Sequence, residues 1–341
     1  MKTLAVYPFD FTKGYFKKRF NLIKGYEKVF LISLSNLDED KQHKNYEITK
    51  DWKKAIDKSE TLLILPGLNN IDKYKEIIAY AETMKKKVIV SKELSQLVDE
   101  KDGVNVIKNN GWKSTEPEYL HEISVPVITV MSLGENSGKF ELQLALGEYF
   151  KSEGYNVIQY GSSEVSEFFG IKQLPNFMYK EYSLVKKVKL LNQYIYEEVQ
   201  ENKPDIIIIG CAGGIMPYNR YVHNYYAEIP IIVSKALEID INLLVLYFDK
   251  RDTVNEQFID AIEVYCKENF GCETNMFTMS NVYVNYDREK SRQEYLCFDD
   301  KTVNQNILNF SNKLFDKNDS NELLQVFSGI EDILKTDFEV I

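Results

Sequence analysis

The stretch Val125–Phe150, VPVITVMSLGENSGKFELQLALGEYF, constrains this chain more than any other. Val125–Met131 is an apolar, mostly β-branched run, which predicts a strand buried on both faces. Ser132–Lys139 is a polar turn with two glycines. From Phe140 on, Leu142, Leu144, Ala145, Leu146, Tyr149 and Phe150 recur at helical spacing. Strand, glycine-rich loop, Gly-Lys, helix is the order in which main-chain N–H groups at a helix start face an anion and a lysine adds a point charge. The candidate phosphate-binding residues are Ser132, Gly134, Glu135, Asn136, Ser137, Gly138, Lys139 and Phe140. The bland alternative is a tight strand-to-helix turn whose lysine meets no ligand.

The 341 residues suffice for two domains. In the first part, Leu4–Tyr7 is an expected strand stopped by Pro8, followed by Val29–Leu34, Thr61–Leu65 and Val88–Val90. Ile71–Met84 is expected to be helical, with Tyr74, Ile77, Ile78 and Ala81 on one face. Strands alternating with helices imply a mostly parallel sheet. Tyr7-Pro8-Phe9-Asp10 and Leu65-Pro66-Gly67-Leu68 would then lie on the edge where such sheets bind ligands, or serve only as turns. Asn109–Glu122, broken by Gly111 and Pro117, reads as a linker.

Beyond it, Asn156–Tyr160, Asp205–Gly210, Ile229–Val233, Leu243–Phe248, Met276–Met279 and Val282–Tyr286 are expected strands, and Ser162–Phe177 is expected to be irregular. Leu184–Gln200 and Val254–Glu268 are expected helices. From Asn304 the pattern turns helical through Ile307, Leu308, Phe310 and Leu314, and it closes with Leu323–Leu334. The expected class is α/β, with two parallel-sheet, Rossmann-like domains and a helical C-terminal tail. The expected bounds are residues 1–116 for a small α/β domain, 117–303 for an α/β domain of the P-loop NTPase kind and 304–341 for the tail.

A net charge of −10 argues against a nucleic-acid partner, which needs a basic face. Only five of the 42 positive side chains are arginine: Arg19, Arg220, Arg251, Arg288 and Arg292. Cys211, Cys266, Cys272 and Cys297 show no C-x-x-C pair, so neither disulfides nor a zinc site is expected, and no metal ligands are assigned. No apolar run approaches the roughly 20 residues of a membrane helix, and MKTLAVYPFDF is too short in apolar core for a signal peptide. The expected location is the cytoplasm, with no membrane partner.

A working phosphate loop needs amides around the phosphates, a lysine, a hydroxyl beside the lysine for magnesium, and an acid at a neighbouring strand end. The standard spacing G-x-x-x-x-G-K-[ST] is missed by one residue, because Gly134 is too close to Gly138. Ser132–Phe140, SLGENSGKF, matches the length of the longer G-x-x-x-x-x-G-K-T loop and resembles that of dethiobiotin synthetase and its relatives. Ile209-Gly210-Cys211-Ala212-Gly213-Gly214-Ile215-Met216-Pro217 is similar to that group's strand-ending E-G-A-G-G-L-x-x-P. This adds Gly213 and Gly214 to the candidate site, and ATP or GTP is the implied cofactor.

The chain departs from that pattern at three places. Ser132 replaces the first glycine, Phe140 the magnesium-binding hydroxyl and Gly210 the acid. Asp205 lies at the wrong end of its strand, on the order of 15 Å away. Glu135 or Asp249 is left to supply a carboxylate, and magnesium lacks its usual ligands.

Over the whole chain, Tyr7-Pro8-Phe9-Asp10, Val125-Pro126-Val127-Ile128 leading to Gly134-Glu135-Asn136, then Lys139-Phe140-Glu141-Leu142-Gln143-Leu144, and the CAGGIMP segment together resemble a clostridial peptide-maturation-system family. That resemblance implies an accessory role in ribosomal peptide natural-product maturation, with a Cys-rich precursor peptide and a radical SAM maturase as partners. It carries no catalytic residues. Two alternatives follow from the motifs: a P-loop scaffold that binds such partners without turnover, and an ATP-dependent ligase of the dethiobiotin synthetase kind. Tyr218–Tyr226, with His223 inside it, would either cover the phosphate site or pack as a surface loop. Cys211 reads as a small buried filler. His43 and His121 read as solvated.

Overall fold

The computed structural model describes residues 2–34, 43–67, 70–99, 103–108, 111–112, 114–249, 254–307 and 314–338. The expectations that fell on Leu68, on Asn109 and Asn110, and on Leu308 and Phe310 lie outside the described residues. The chain divides into two units, Met1–Asn109 with Glu164–Ile171, and Asn110–Ser163 with Lys172–Ile341.

Among the described residues the first unit has six strands, the short apolar runs β1 (Thr3–Phe9), β2 (Lys28–Ser33), β4 (Thr61–Ile64) and β5 (Lys87–Val90) and the more polar β3 (Tyr46–Thr49) and β6 (Val104–Val106). Helices α1 (Tyr15–Lys18), α2 (Trp52–Asp57) and α3 (Ile71–Thr83) connect them. The strands are parallel in the order β3-β2-β1-β4-β5-β6. This is a doubly wound sheet whose connections reverse between β1 and β4. Tyr74, Ile77, Ile78 and Ala81 are buried along α3, as their spacing predicts.

Pro8 does not end β1, which runs to Phe9 with a register shift after Val6. An irregular register accommodates a residue that has no N–H to give. At the reversal point the ends of β1 and β4 pack on each other, since a Cβ on Gly67 would fall 2.5 Å from Pro8 Cγ. The Asp10 carboxylate is committed locally, accepting from Thr12 N at 2.9 Å and pairing with Lys13 Nζ at 2.7 Å.

The second unit is built on β7 (Val127–Ser132), α4 (Lys139–Ser152), β8 (Val157–Gly161), β9 (Lys172–Gln173), α5 (Leu184–Asn202), β10 (Ile206–Gly210), α6 (Glu228–Ala236), β11 (Ile241–Leu246), α7 (Glu256–Phe270) and β12 (Thr274–Met279). A hairpin, β13 (Val282–Asp287) and β14 (Arg292–Cys297), follows, then α8 (Asp300–Ile307), β15 (Leu314–Phe315) and α9 (Ser320–Phe338). Seven strands lie parallel in the order β15-β12-β11-β7-β10-β8-β9, with β7 at the centre.

Period-two alternation splits these apolar strands between two cores. Val127, Met131, Ile207 and Ile209 face Leu191, Ile195, Ile232 and Ile259 of α5, α6 and α7. Ile128, Val130, Ile206 and Ile208 face Leu142, Leu146 and Phe150 of α4 and Phe327 and Ile330 of α9. Thr129, on the first face, spends its hydroxyl on Asn242 Oδ1 at 2.9 Å, and Asn242 donates to Thr274 Oγ1 at 3.1 Å.

Two expectations are corrected. Ile229–Val233 is helical, within α6: Ile229, Ile232, Val233 and Ala236 are buried at i, i+3, i+4 and i+7. A five-residue apolar run carries too little length to separate the two periods. Leu314 lies in the edge strand β15, paired with Phe277 of β12, and not in a helix.

Candidate functional site

The phosphate-loop candidate leaves the C-terminal end of β7 and enters α4 at Lys139. Two residues take left-handed backbone, Asn136 with φ +56° and Gly138 with φ +83°. Gly138 caps α4, so the first free N–H groups of a fourteen-residue helix open on this loop. The loop is braced from outside. Tyr247, just past β11, donates its hydroxyl to the Glu135 carbonyl, and a Cβ on Gly134 would fall 2.5 Å from that hydroxyl. Ser132 Oγ donates to the Gly134 carbonyl at 2.6 Å.

The glycine segment after β10 meets the loop from the other side. Lys139 Nζ donates to the Gly213 carbonyl at 2.6 Å and to Ser132 Oγ at 3.1 Å. A Cβ on Gly214 would lie 2.4 Å from the Leu133 carbonyl oxygen. Ser132, Gly134, Lys139, Gly213 and Gly214 are thus brought together. Glu135 and Asn136 are exposed at the tip, and Phe140 stands partly buried in the first turn of α4. Ser137 is buried, and its hydroxyl makes no hydrogen bond among the described residues. Burial lowers the Lys139 ammonium to about 8; nearby Cys211 and Glu135 act weakly in the other direction. Cys211 itself is buried, and burial pushes its thiol up to about 12, the state of an inert filler.

The positions that would hold magnesium do not fit it. Residue 140 is an apolar ring, and a Cβ on Gly210 would fall 2.2 Å from Gln143 Oε1. The place an acid would enter is filled by Gln143, which donates to the Tyr160 carbonyl at 2.9 Å. Asp205 sits before β10 and accepts from Asn156 N at 2.7 Å, at the far end of the strand. Asp249 borders a separate groove with Tyr218 and Tyr221.

Several residues of the site carry no motif. Asn224 donates to the Leu133 and Met216 carbonyls, both at 2.9 Å, and ties the aromatic loop to the phosphate loop. Asn224, Tyr225, Tyr226 and Ala227 all have positive φ, between +47° and +59°. A left-handed turn without glycine costs roughly 1–2 kcal/mol per residue and has to be held by its surroundings. His223 caps it, accepting from Tyr225 N at 2.9 Å and stacking on Tyr226. Lys317, between β15 and α9, lays its stem over Gly138, with Cε 3.5 Å from where a Cβ would stand, and donates to Asn281 Oδ1 at 3.1 Å. His121, read as solvated, stacks on Tyr196 at 4.1 Å and bonds Gln193.

No family model matches the chain, and no curated protein matches it. Among solved structures, a DUF1611 family protein from Anabaena variabilis ATCC 29413 is similar over 96% of this chain and 99% of its own, with a TM-score of 0.56 and 13% identity. The likeness is one of fold. Chloroplast FtsY from Physcomitrella patens aligns with 49% of this chain and 53% of its own at 16% identity and TM-score 0.31. A plasmid partition protein from Borrelia burgdorferi aligns with 64% of this chain and 99% of its own at 11% identity and TM-score 0.35. Among the described residues, no helix is long and apolar enough to cross a membrane.

Proposed function

We propose that the loop Ser132–Phe140, closed by Gly213 and Gly214, binds the phosphates of a nucleotide, ATP or GTP. One observation carries the reading: Lys139, at the first turn of α4, has its ammonium held by the Gly213 carbonyl in a partly buried setting that lowers its pKa. Held by a neutral carbonyl and a hydroxyl, with the exposed Glu135 as the carboxylate that acts on it, this partly buried ammonium has little countercharge. A phosphate supplies that charge, and the buried Ser137 hydroxyl and the α4 amides have hydrogen bonds to offer it.

The test is thermal stabilisation by millimolar ATP and GTP, with and without magnesium. Ligand at a hundred times its Kd stabilises by about 2.7 kcal/mol. The shift is expected in the unmutated protein and absent from Lys139→Ala, with the fold retained in both. No shift with any nucleotide defeats the proposal.

The packing of Gln143 against Gly210 favours binding without magnesium-dependent turnover over a ligase reaction. Phosphate release that requires magnesium and disappears in Lys139→Ala would reverse that order. The finer role, an accessory of ribosomal peptide maturation, rests on the sequence resemblance alone. Its partners would be a Cys-rich precursor peptide and a radical SAM maturase. Co-purification with either, dependent on nucleotide, would support it.

A further inference from the structure

Beside the phosphate loop lies an open groove of about 640 Å³, bordered by Tyr218, Arg220, Tyr221, Asp249, Tyr286 and Arg288. It draws on the loop that follows β10, the end of β11 and the hairpin strand β13. Since β10 and β11 flank β7, the groove opens at the same sheet edge as Lys139. The link is short: Tyr218 packs edge-on against Tyr247 at 6.3 Å, and Tyr247 holds the Glu135 carbonyl.

The lining is unusual for this chain. Positive charge here is overwhelmingly lysine, yet two of the five arginines border one groove. Neither Arg220 nor Arg288 makes an ion pair among the described residues. Both stand on turns braced by side chains. Asn219 Oδ1 accepts from Tyr221 N at 2.8 Å and Val222 N at 2.9 Å, and Asp287 Oδ1 accepts from Glu289 N at 3.0 Å and Lys290 N at 3.1 Å. Between them, Tyr221 and Tyr286 stack at 5.3 Å with 6° between planes, and the Arg220 guanidinium lies 5.3 Å from the Tyr221 ring. Guanidinium forks suit planar oxyanions, and a pre-stacked ring pair offers a flat face at little ordering cost.

We propose that this groove is a second ligand site, for a small molecule that carries a carboxylate or phosphate beside a flat ring. Arg220 and Arg288 take the oxyanion, and the Tyr221–Tyr286 pair takes the ring. The site does not depend on a nucleotide being bound at Lys139.

The experiment is saturation-transfer NMR on the full chain with three probes: benzoate, phenyl phosphate and neutral benzamide. At least one oxyanionic probe is expected to bind ~10-fold or more tightly than benzamide, as charge-assisted hydrogen bonds require. Arg220→Lys with Arg288→Lys keeps the charge and loses the forks; it is expected to lower that affinity ~10-fold at an unchanged unfolding temperature. Lys139→Ala is expected to leave it alone. Preference for benzoate over phenyl phosphate assigns a carboxylate, and the reverse a phosphate. Equal binding of benzamide, or indifference to both arginine substitutions, overturns the proposal. So does oxyanion binding that vanishes in Lys139→Ala, which places the anion on the phosphate loop.

Discussion

At the scale of single residues the informative group is Lys139. The desolvation of its partly buried setting lowers its ammonium from the ordinary lysine value of 10.5 to about 8. A bound phosphate raises that value, so binding takes up a proton wherever the free protein has already lost one. Nucleotide affinity is therefore expected to hold level up to about pH 8 and to fall by up to about tenfold per pH unit above it. Calorimetry near pH 9 in two buffers of different ionisation enthalpy should show proton uptake that Lys139→Arg removes, since a guanidinium stays charged. A level profile through pH 9.5, without proton uptake, removes Lys139 from the phosphates. The sequence marked Lys139 by its place after Gly138. The Tyr218–Tyr226 loop was legible as a cover for the site, but not that Asn224 within it ties it down, nor that Tyr247 and Lys317 brace the same loop; these three lie 91, 112 and 179 residues beyond the loop residues they meet. Such partners are set by sheet order, which local spacing does not encode.

At the scale of elements, glycine positions separate packing from backbone freedom. Gly214 lies against the Leu133 carbonyl, and main chain cannot step aside as a side-chain tip can. Gly214→Ala is expected to cost about 1–3 kcal/mol, through overpacking between the two segments of the site, and to weaken any nucleotide-induced stabilisation. Gly329 in α9 has nothing within 4 Å of its would-be Cβ. Gly329→Ala is expected to stabilise by roughly 0.5–1 kcal/mol, by relieving the entropy cost of glycine in a helix. Calorimetric unfolding of the two variants should move in opposite directions; movement in the same direction contradicts the packing described. The same scale shows where periodicity could be read. β7 and β10 are apolar runs that alternate between two cores, and α5 repeats its apolar face over 19 residues. The short α6 could not be separated from a strand, and β3, β6 and β14, each of three to six residues, carry too few apolar positions to stand out.

At the scale of the whole molecule, the first unit is discontinuous in sequence. Glu164–Ile171 belongs to it although the preceding and following residues belong to the other unit. This insert completes a core: Phe169 lies 5.3 Å from the fully buried Phe16, Tyr26 stacks on Phe168, and Lys24 N donates to the Phe168 carbonyl at 2.6 Å. Glu164 accepts from Lys92 N at 3.1 Å. A reading in chain order sees an irregular stretch there, because a segment that crosses between units owes its conformation to its destination and not to its neighbours. Residues 1–109 expressed alone would leave Phe16 without this cover. Uncovering one such ring forfeits roughly 1.5–3 kcal/mol, a large part of the stability of a unit that size. Urea unfolding of residues 1–109 is therefore expected to show a lower midpoint than that of the same residues with 164–171 joined through a flexible linker. Replacing Phe169 by Ala in the joined chain should return the midpoint to that of the shorter fragment. Equal midpoints for the two unmutated fragments would mean that the six parallel strands are self-sufficient and that the 164–171 segment only rests on them.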